Sequence, residues 1–316
     1  MIGEVKKLII IPHIKVHNAN ALSSPFTIGF PAMTAWLGGV HALQRHINAQ
    51  NIPVIFTAAG VVSHEVNLQT YKGANDYVHS IVGAGNPLDK TGGRTAFIEE
   101  ARCHLDVSLV IEFNGITIDE REHLLSAITQ LLHAKMKLAG GDIKSFQPPF
   151  CINSSEGDDD DLCKLQRHLM PGYVLIERRD LMIAAMADGA DAMKAVIDFL
   201  AIHHSCEQDD EGNIEWRSYR KTLANKPAGW IVPIATGFHA LSETSEAKNQ
   251  RDQNTPHRFA ESLVTLGEFK MPHRLHSVEQ MLWRYHTNGD FYLCQQKHSE
   301  PPRPASSSLT SIESEF

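Results

Sequence analysis

Cys103-His-Leu-Asp-Val-Ser-Leu-Val-Ile-Glu-Phe113 decides how the chain is read. Leu105, Val107, Leu109 and Ile111 recur at every second position, with Asp106, Ser108 and Val110 between them. A period of two is that of a β-strand with one face on a core. Downstream, Asn114-Gly115 is a turn signal. Asp119 is placed to cap a helix over Glu120–Leu138, whose Leu124, Leu125, Ile128, Leu131 and Leu132 share one face. Gly140-Gly141 reads as the stop of that helix, and Asp142–Phe146 as a short strand. Upstream, Val5–Ile14 reads as a strand, and Pro12 calls for an edge position or a bulge near its end. Pro31 opens a helix to about Ala49, with Ala35, Trp36, Val40, Leu43 and Ile47 at helical spacing. Val54–Tyr71 reads as another strand, and a Gly- and Asn-rich stretch to about Thr95 interrupts the pattern. Residues 1–150 therefore run β-α-β, insertion, β-α-β. This is an α+β, ferredoxin-like (split βαβ) body whose two helices cover one face of an antiparallel sheet and leave the other free for a partner or for more chain.

The second half is an irregular α/β region. Tyr173–Glu177 and Trp230–Ile234 read as strands. Arg179–Phe199 reads as a helix weakened at Gly189, and Val278–Tyr285 as another helix. Pro148-Pro149 and the acidic residues after it mark a boundary, which gives a C-terminal extension over 151–298 packing on the body. Residues 299–316 are rich in Pro and Ser and read as a disordered tail.

The length of 316 residues suits one large domain or two ordinary ones. No apolar run approaches the roughly 20 residues of a membrane span, and the N-terminus lacks the apolar stretch of a secretory signal. Five scattered cysteines include no C-x-x-C pair, against a disulfide framework or a structural zinc site. The expectation is a cytoplasmic protein with no membrane, cofactor or metal. The net charge of −8 argues against nucleic acid only until it is located. Glu156 with Asp158–Asp161, and Glu207, Asp209, Asp210, Glu211 and Glu215, form two runs that read as solvated loops; without those ten acids the balance is +2. Lys6, Lys7, Lys15 and Arg45 against Glu4 give the first 50 residues a net of +3, so a local anion-binding surface stays open.

No catalytic constellation emerges. There is no Walker A loop, G-x-G-x-x-G or G-x-S-x-G, and His64-Glu65 lacks the second histidine of H-E-x-x-H. His203-His204-Ser-Cys206 is the densest of the histidine clusters but lies beside an acidic loop, and four consecutive Asp at 158–161 do not converge as calcium ligands do. His13 and His17 can be an acid–base pair, so a metal-independent endoribonuclease of this fold remains the alternative. Other groups read as binding surfaces. His17, Asn18, Asn20, Ser23 and Ser24 offer short polar side chains and free N–H groups, or else make an ordinary loop of Asx turns. Gly140-Gly141 admits a close backbone approach. Arg251 and Arg258 can grip phosphates or pair with Asp252 and Glu261. Trp230, Phe238, Trp283 and Tyr285 are stacking platforms or core.

Several stretches together resemble a known family: Leu8-Ile-Ile-Ile-Pro12, His17-Asn-Ala-Asn-Ala-Leu-Ser-Ser-Pro25 with Gly29-Phe-Pro31, Val40-His-Ala-Leu-Gln-Arg45, Arg102-Cys-His-Leu-Asp-Val107, Leu138-Ala-Gly-Gly141, Leu169-Met-Pro-Gly172, Gly229-Trp-Ile-Val-Pro-Ile234 with His239-Ala-Leu-Ser242, Arg251-Asp252 with Thr255-Pro256 and Arg258-Phe259, and Leu266-Gly-Glu268. Over residues 8–285 the chain resembles the Csy-two subunits of type I-F CRISPR surveillance complexes, in the Cas-five group. The resemblance implies a non-catalytic subunit with an RNA-recognition-like (RRM-like) body and a thumb, for which Tyr71–Thr95 is the candidate. It implies that the chain holds the 5′ handle of the CRISPR RNA (crRNA). On that reading the polar segment, Arg45, Arg102, His104 and the glycine turn hold the handle. It implies two protein partners, the large subunit and the backbone subunit of the crRNA filament. Contact with target duplex DNA near the protospacer-adjacent motif is left open.

Overall fold

The computed structural model describes residues 5–82, 88, 90–93, 100–155, 157–208, 212, 214–223, 226, 227, 229–248, 250, 252 and 254–297. In chain order the first half forms β1 (Val5–Asn20), β2 (Leu22–Ser24), β3 (Thr27–Ile28), α1 (Met33–Asn48), β4 (Ile55–Leu68), β5 (Thr70–Tyr71), β6 (Ser80–Ile81), β7 (Arg102–Asn114), α2 (Arg121–Ala134), β8 (Lys137–Leu138), β9 (Gly141–Ser145) and β10 (Phe150–Ser155). The second half forms α3 (Asp159–Leu169), β11 (Tyr173–Glu177), α4 (Arg179–Ala187), α5 (Ala192–Leu200), β12 (His203–Gln208), β13 (Ile214–Tyr219), β14 (Thr222–Leu223), β15 (Lys226–Pro227), β16 (Trp230–Ala240), β17 (Ala260–Lys270), two 3₁₀ turns (Pro272–Arg274, Val278–Met281), β18 (Trp283–Asn288) and β19 (Phe291–Gln296).

The stretch around Leu105–Ile111 is the middle of the sheet. β7 lies between β4 and β1, and β9 follows on the far edge of β1, all antiparallel. β10 shares that edge, pairing with Val5–Ile10. Beyond β4 the second half continues the same sheet, and antiparallel pairings run β4–β11–β17–β16–β19–β18 and back to β4 as a ring. Leu105, Val107, Leu109 and Ile111 pack with Ile9 and Ile11 of β1 and with Trp36, Leu43, Ile128 and Leu131 of the two long helices. The opposite face is not free along its length. Leu8, Ile10, Val62 and Val110 are covered by Leu165 and Leu169 of α3 and by Leu275, Val278 and Met281. That cover ends near Ser108. Past it, toward Asn20, Leu68 and Arg102, the face is open.

Several boundaries differ from the sequence reading, each for a local reason. The polar segment from His17 does not leave the sheet: β1 runs to Asn20, and only then does a small hairpin, β2–β3, lead to α1. The helix after Asn114-Gly115 is capped by neither Asp119 nor any side chain at its N-cap, Glu120, whose carboxylate accepts from Thr117 instead. It ends at Ala134, so Gly140 is not its stop. Ala139 (φ 48°) and Gly140 (φ 76°) form the turn of the β8–β9 hairpin. Arg179–Phe199 is two helices, broken where Gly189 takes φ 93°. Val278–Tyr285 is a 3₁₀ turn followed by strand. From Asp158 on, the first acidic run is a helix start: Asp158 accepts from Asp160 and Asp161 N–H, and three Asp in the first turn complement the helix dipole, while Glu156 lies outside the described residues. In the second run Glu207 and Glu215 face one another across the β12–β13 ladder. Asp209, Asp210 and Glu211 lie outside the described residues, as do parts of the insertion at 83–87, 89, 94 and 95, and the tail. No helix among the described residues is long and apolar enough to cross a membrane.

Candidate nucleic-acid interface

At the open end of the sheet, β1 and β7 each contribute a histidine to one surface. The rings of His17 and His104 stack with centroids 4.1 Å apart and planes 15° from parallel. The cause is a bulge in β1, where pairing with β7 shifts between Val16 and Ala19. Asn18 there takes φ 60°, and its N–H donates to His104 Nδ1 at 3.0 Å. An accepting Nδ1 puts the ring proton of a neutral His104 on Nε2. Contact with its neighbours, and the charge of His17 beside it, lower the His104 pKa, so the stack favours a neutral ring. Lys15, Lys144, Asn67, Glu65 and Asp106 supply the other polar groups of this cleft. Two lysines, a histidine stack and an amide suit an anion flanked by a flat ring, bound on the lysine side away from the carboxylates of Glu65 and Asp106.

A second cleft opens on the helix side of the same end. Gly38, Gly39 and Ala42 leave a trough along α1, walled by Asn20, Ser23, Lys137, Gly140 and Phe238. The β8–β9 hairpin reaches both clefts, since Gly140 lines one and Lys144 the other. Gly141 holds that hairpin against β1: a Cβ there would meet Val16 Cγ1 at 2.6 Å and the backbone of Ala19 and His17 at 2.8 Å.

Most of the residues singled out from sequence converge here. Asn20 pairs with Arg102 across the β1–β7 ladder, and Asn20 N–H donates to Ala139 O. His17, Asn18, Asn20, Ser23, Ser24, Arg102, His104, Gly140 and Gly141 therefore share one end of the molecule. Several are already engaged. The Asn20 amide makes an Asx turn with Leu22, and the Ser23 and Ser24 hydroxyls both meet Thr27 Oγ1, at 2.9 and 2.7 Å. Arg102 pairs with Glu100, and its buried Nε has no partner among the described residues. Arg45 is exposed in the last turn of α1, about 4.5 Å along the helix beyond Ala42 of the trough at 1.5 Å per residue, and is not among the residues that line it. Arg258 is held by Ser242 O (2.7 Å) and Asp290 (3.0 Å), just before β17 and outside the lining of both clefts. Arg251 lies outside the described residues. Of the aromatic candidates, Trp283 is core, with Nε1–H donating to Leu175 O. Trp230 is 52% exposed and leans on Tyr173 and Phe269. His13 and His17 do not form a pair: His13 stacks on His64 instead. Lys15 entered the sequence reading only through the basic balance of the first 50 residues, and Lys137 and Lys144 not at all, because no motif surrounds them and only strand register brings them to the clefts.

A family model described as CRISPR-associated protein (Cas_Csy2) matches residues 9–294. The CRISPR-associated protein Csy2 of Pseudomonas aeruginosa strain UCBPP-PA14 is 31% identical over 317 residues, which cover 92% of this chain and 94% of that one. The family model spans the two clefts and nearly all of the sheet, including the strands of the second half. The chain therefore belongs to the Csy2 family of CRISPR-associated proteins.

Proposed function

We propose that this chain is a non-catalytic, crRNA-binding subunit of a type I-F CRISPR surveillance complex, acting in the cytoplasm in antiviral defence. It holds the 5′ handle of the crRNA in the two clefts at the open end of the sheet. The observation that carries this reading is the meeting of Lys15, Lys144 and the His17–His104 stack in one cleft, beside a small-residue trough that shares the β8–β9 hairpin. Phosphates fall to the lysines and to backbone N–H groups, bases to the histidine stack and Phe238. The body is RRM-like: the order β9-β1-β7-β4 with α1 and α2 on one face supports that assignment. Residues 1–150 form this body, with the thumb within 71–95, and 151–298 pack on it. The large subunit docks on apolar surface of the second half, where Ile183, Met186, Met193 and Ile197 stand exposed on α4 and α5. The backbone subunit and target duplex DNA are further partners of the assembled particle.

Fluorescence anisotropy with a handle RNA, over a salt titration, tests the site. Replacing both Lys15 and Lys144 by Ala removes two phosphate contacts. The slope of log affinity against log salt is expected to become shallower by about 1.4, at about 0.7 per contact on a single strand. An unchanged affinity and slope would remove the site. Arg45→Ala, made in parallel, separates a handle confined to the clefts from one that continues along α1. Incubating the full chain with repeat RNA in the presence of a chelator tests the endoribonuclease alternative. Fragments that disappear with His17→Ala would replace the non-catalytic reading.

A further inference from the structure

Two β-bulges stand opposite each other across β7. On β1, pairing steps from Ile11–Leu109 to Ile14–Val107, so Pro12 and His13 together face Ser108. On β4, pairing steps from Ser63–Val107 to Glu65–Asp106, and His64 is the extra residue. A bulge re-aims a side chain, and two bulges at one level aim both histidines at the same residues of the strand between them. His13 takes φ 47° there, a left-handed conformation that a residue with a Cβ adopts only under constraint. The rings of His13 and His64 stack at 4.1 Å. His13 Nδ1 lies 3.1 Å from Asp106 Oδ1. One ligand atom from each of His13, His64 and Asp106 lies within 4.8 Å of the other two, and among the described residues no other three His, Cys, Asp or Glu side chains converge in this way.

The hydrogen bonds around the cluster fix the protons. Pro171 O can only accept, so His64 Nδ1 donates to it, at 2.6 Å. That leaves His64 Nε2 with a lone pair, which faces the Ser108 hydroxyl at 2.7 Å. Ser108 Oγ in turn accepts from His13 N–H at 3.0 Å. An imidazole whose Nδ1–H is tied to a carbonyl while Nε2 points into a cluster is the arrangement of a metal-ligating histidine. Burial, the largest influence, lowers the His64 pKa and so favours the neutral ring that a metal requires. The His13–Asp106 separation of 3.1 Å is close to an edge of a coordination tetrahedron, about 3.3 Å for ligands at 2.0–2.1 Å. Two neutral imidazoles and one carboxylate suit a divalent ion, and the partial exposure of His13 and Asp106 leaves water a fourth position.

We propose that His13, His64 and Asp106 bind one divalent transition-metal ion of the zinc class. The ion takes the place of the proton between His13 and Asp106, which passes to solvent. His64 Nε2 turns from Ser108 to the ion. No sequence spacing announces the site, because its ligands come from positions 13, 64 and 106 on three strands and meet only through the two bulges. Asp106 also lines the cleft of Lys15 and Lys144, but the ligand set itself needs no RNA there.

The full chain, stripped with a chelator and dialysed, is titrated with Zn²⁺ by calorimetry and with Co²⁺ by visible absorption. One ion per chain is expected. Asp106→Asn and His64→Gln are each expected to weaken binding at least tenfold, whereas His203→Gln with His204→Gln leaves it unchanged. X-ray absorption at the zinc edge of the unmutated protein needs no variant to fold. It is expected to show a shell of nitrogen and oxygen neighbours including two imidazoles. Absence of binding, binding retained in both single variants, loss only in the His203/His204 variant, or sulfur in the shell would each overturn the proposal.

Discussion

Glu112→Gln probes the seam between the two halves of the sequence. Glu112, on β7, accepts from Lys6 of β1 at 2.8 Å, from Thr57 of β4 at 2.7 Å and from Arg284 of β18 at 2.9 Å. Glu279 shares the same two cations, binding Lys6 at 3.0 Å and pairing with Arg284. The four charged side chains are between 12% and 23% exposed, so water screens them little. The substitution leaves Lys6 and Arg284 to Glu279 alone, which also has Lys297 at 3.7 Å. Breaking a buried pair costs about 3–5 kcal/mol and an exposed one about 0–1. For mostly covered charges, with an amide oxygen still able to accept, the expected loss is about 2–3 kcal/mol. Its pH dependence has a definite sign. Burial alone would raise the Glu112 and Glu279 carboxyls, but the bonds from Lys6, Thr57 and Arg284 outweigh it and both pKa values fall below 4.5. A depressed carboxylate contributes stability that is present above its unfolded pKa and is lost as pH falls through the folded one. The gap between the natural chain and Glu112→Gln is therefore expected to be full at pH 7 and to shrink below about pH 4.5. Urea unfolding of both chains at pH 7 and at two acid pH values measures it. A gap under about 0.5 kcal/mol at pH 7, or one that stays constant into acid, would refute the account of the seam.

Two further substitutions follow from the packing. Gly141→Ala is expected to cost about 2 kcal/mol, because the added Cβ meets the backbone of β1 and backbone does not yield as a side chain does; thermal unfolding checks this, and an unchanged midpoint would contradict the close approach of the β8–β9 hairpin. Glu177→Gln is expected to raise the midpoint at pH 7.5: burial, opposed by the nearby Arg179, raises the Glu177 pKa, so this group's contribution is present below the unfolded pKa and is lost as pH rises. The gain is expected to close toward pH 4.5, and a variant less stable than the natural chain at pH 7.5 would be evidence against it.

Regular patterns made the body legible and irregular ones hid the site. The alternation at Leu105–Ile111 and the helical spacing of Trp36, Val40 and Leu43 name elements that the structure contains, and the antiparallel neighbours of β7 follow from them. The end of β1 did not yield to the same reasoning. Its core side chains are Ile9 and Ile11, then Ile14 and Val16, then Ala19, so the parity of the buried face changes twice. Judged by strict alternation, such a strand ends at Ile14, and the polar residues after it read as loop. Gly140-Gly141 misled for a similar reason: a glycine pair serves a helix stop and a hairpin turn equally, and only Lys137–Leu138 pairing back onto β9 distinguishes them. Lys15 and Lys144 carry no motif at all, and register alone brings them together.

The irregularities that defeat pattern reading are also what equips the open face. Each parity change on β1 is a bulge, and each places one residue at positive φ, His13 at 47° and Asn18 at 60°. Were the same residues paired regularly, without bulges, the period of two would turn Ile14 and Val16 away from the helices and onto the open face. With them, the apolar positions stay under α1 and α2, and the surplus residues are free to serve the opposite side. His13 goes to Asp106 and His64; Asn18 turns its N–H to His104. One sheet therefore keeps a continuous core on its helix face while the opposite face carries a histidine cluster and a histidine stack, centred on His13 and His17 of β1. What that face carries is set by where the bulges fall, which is a property of strand pairing rather than of any short run of sequence.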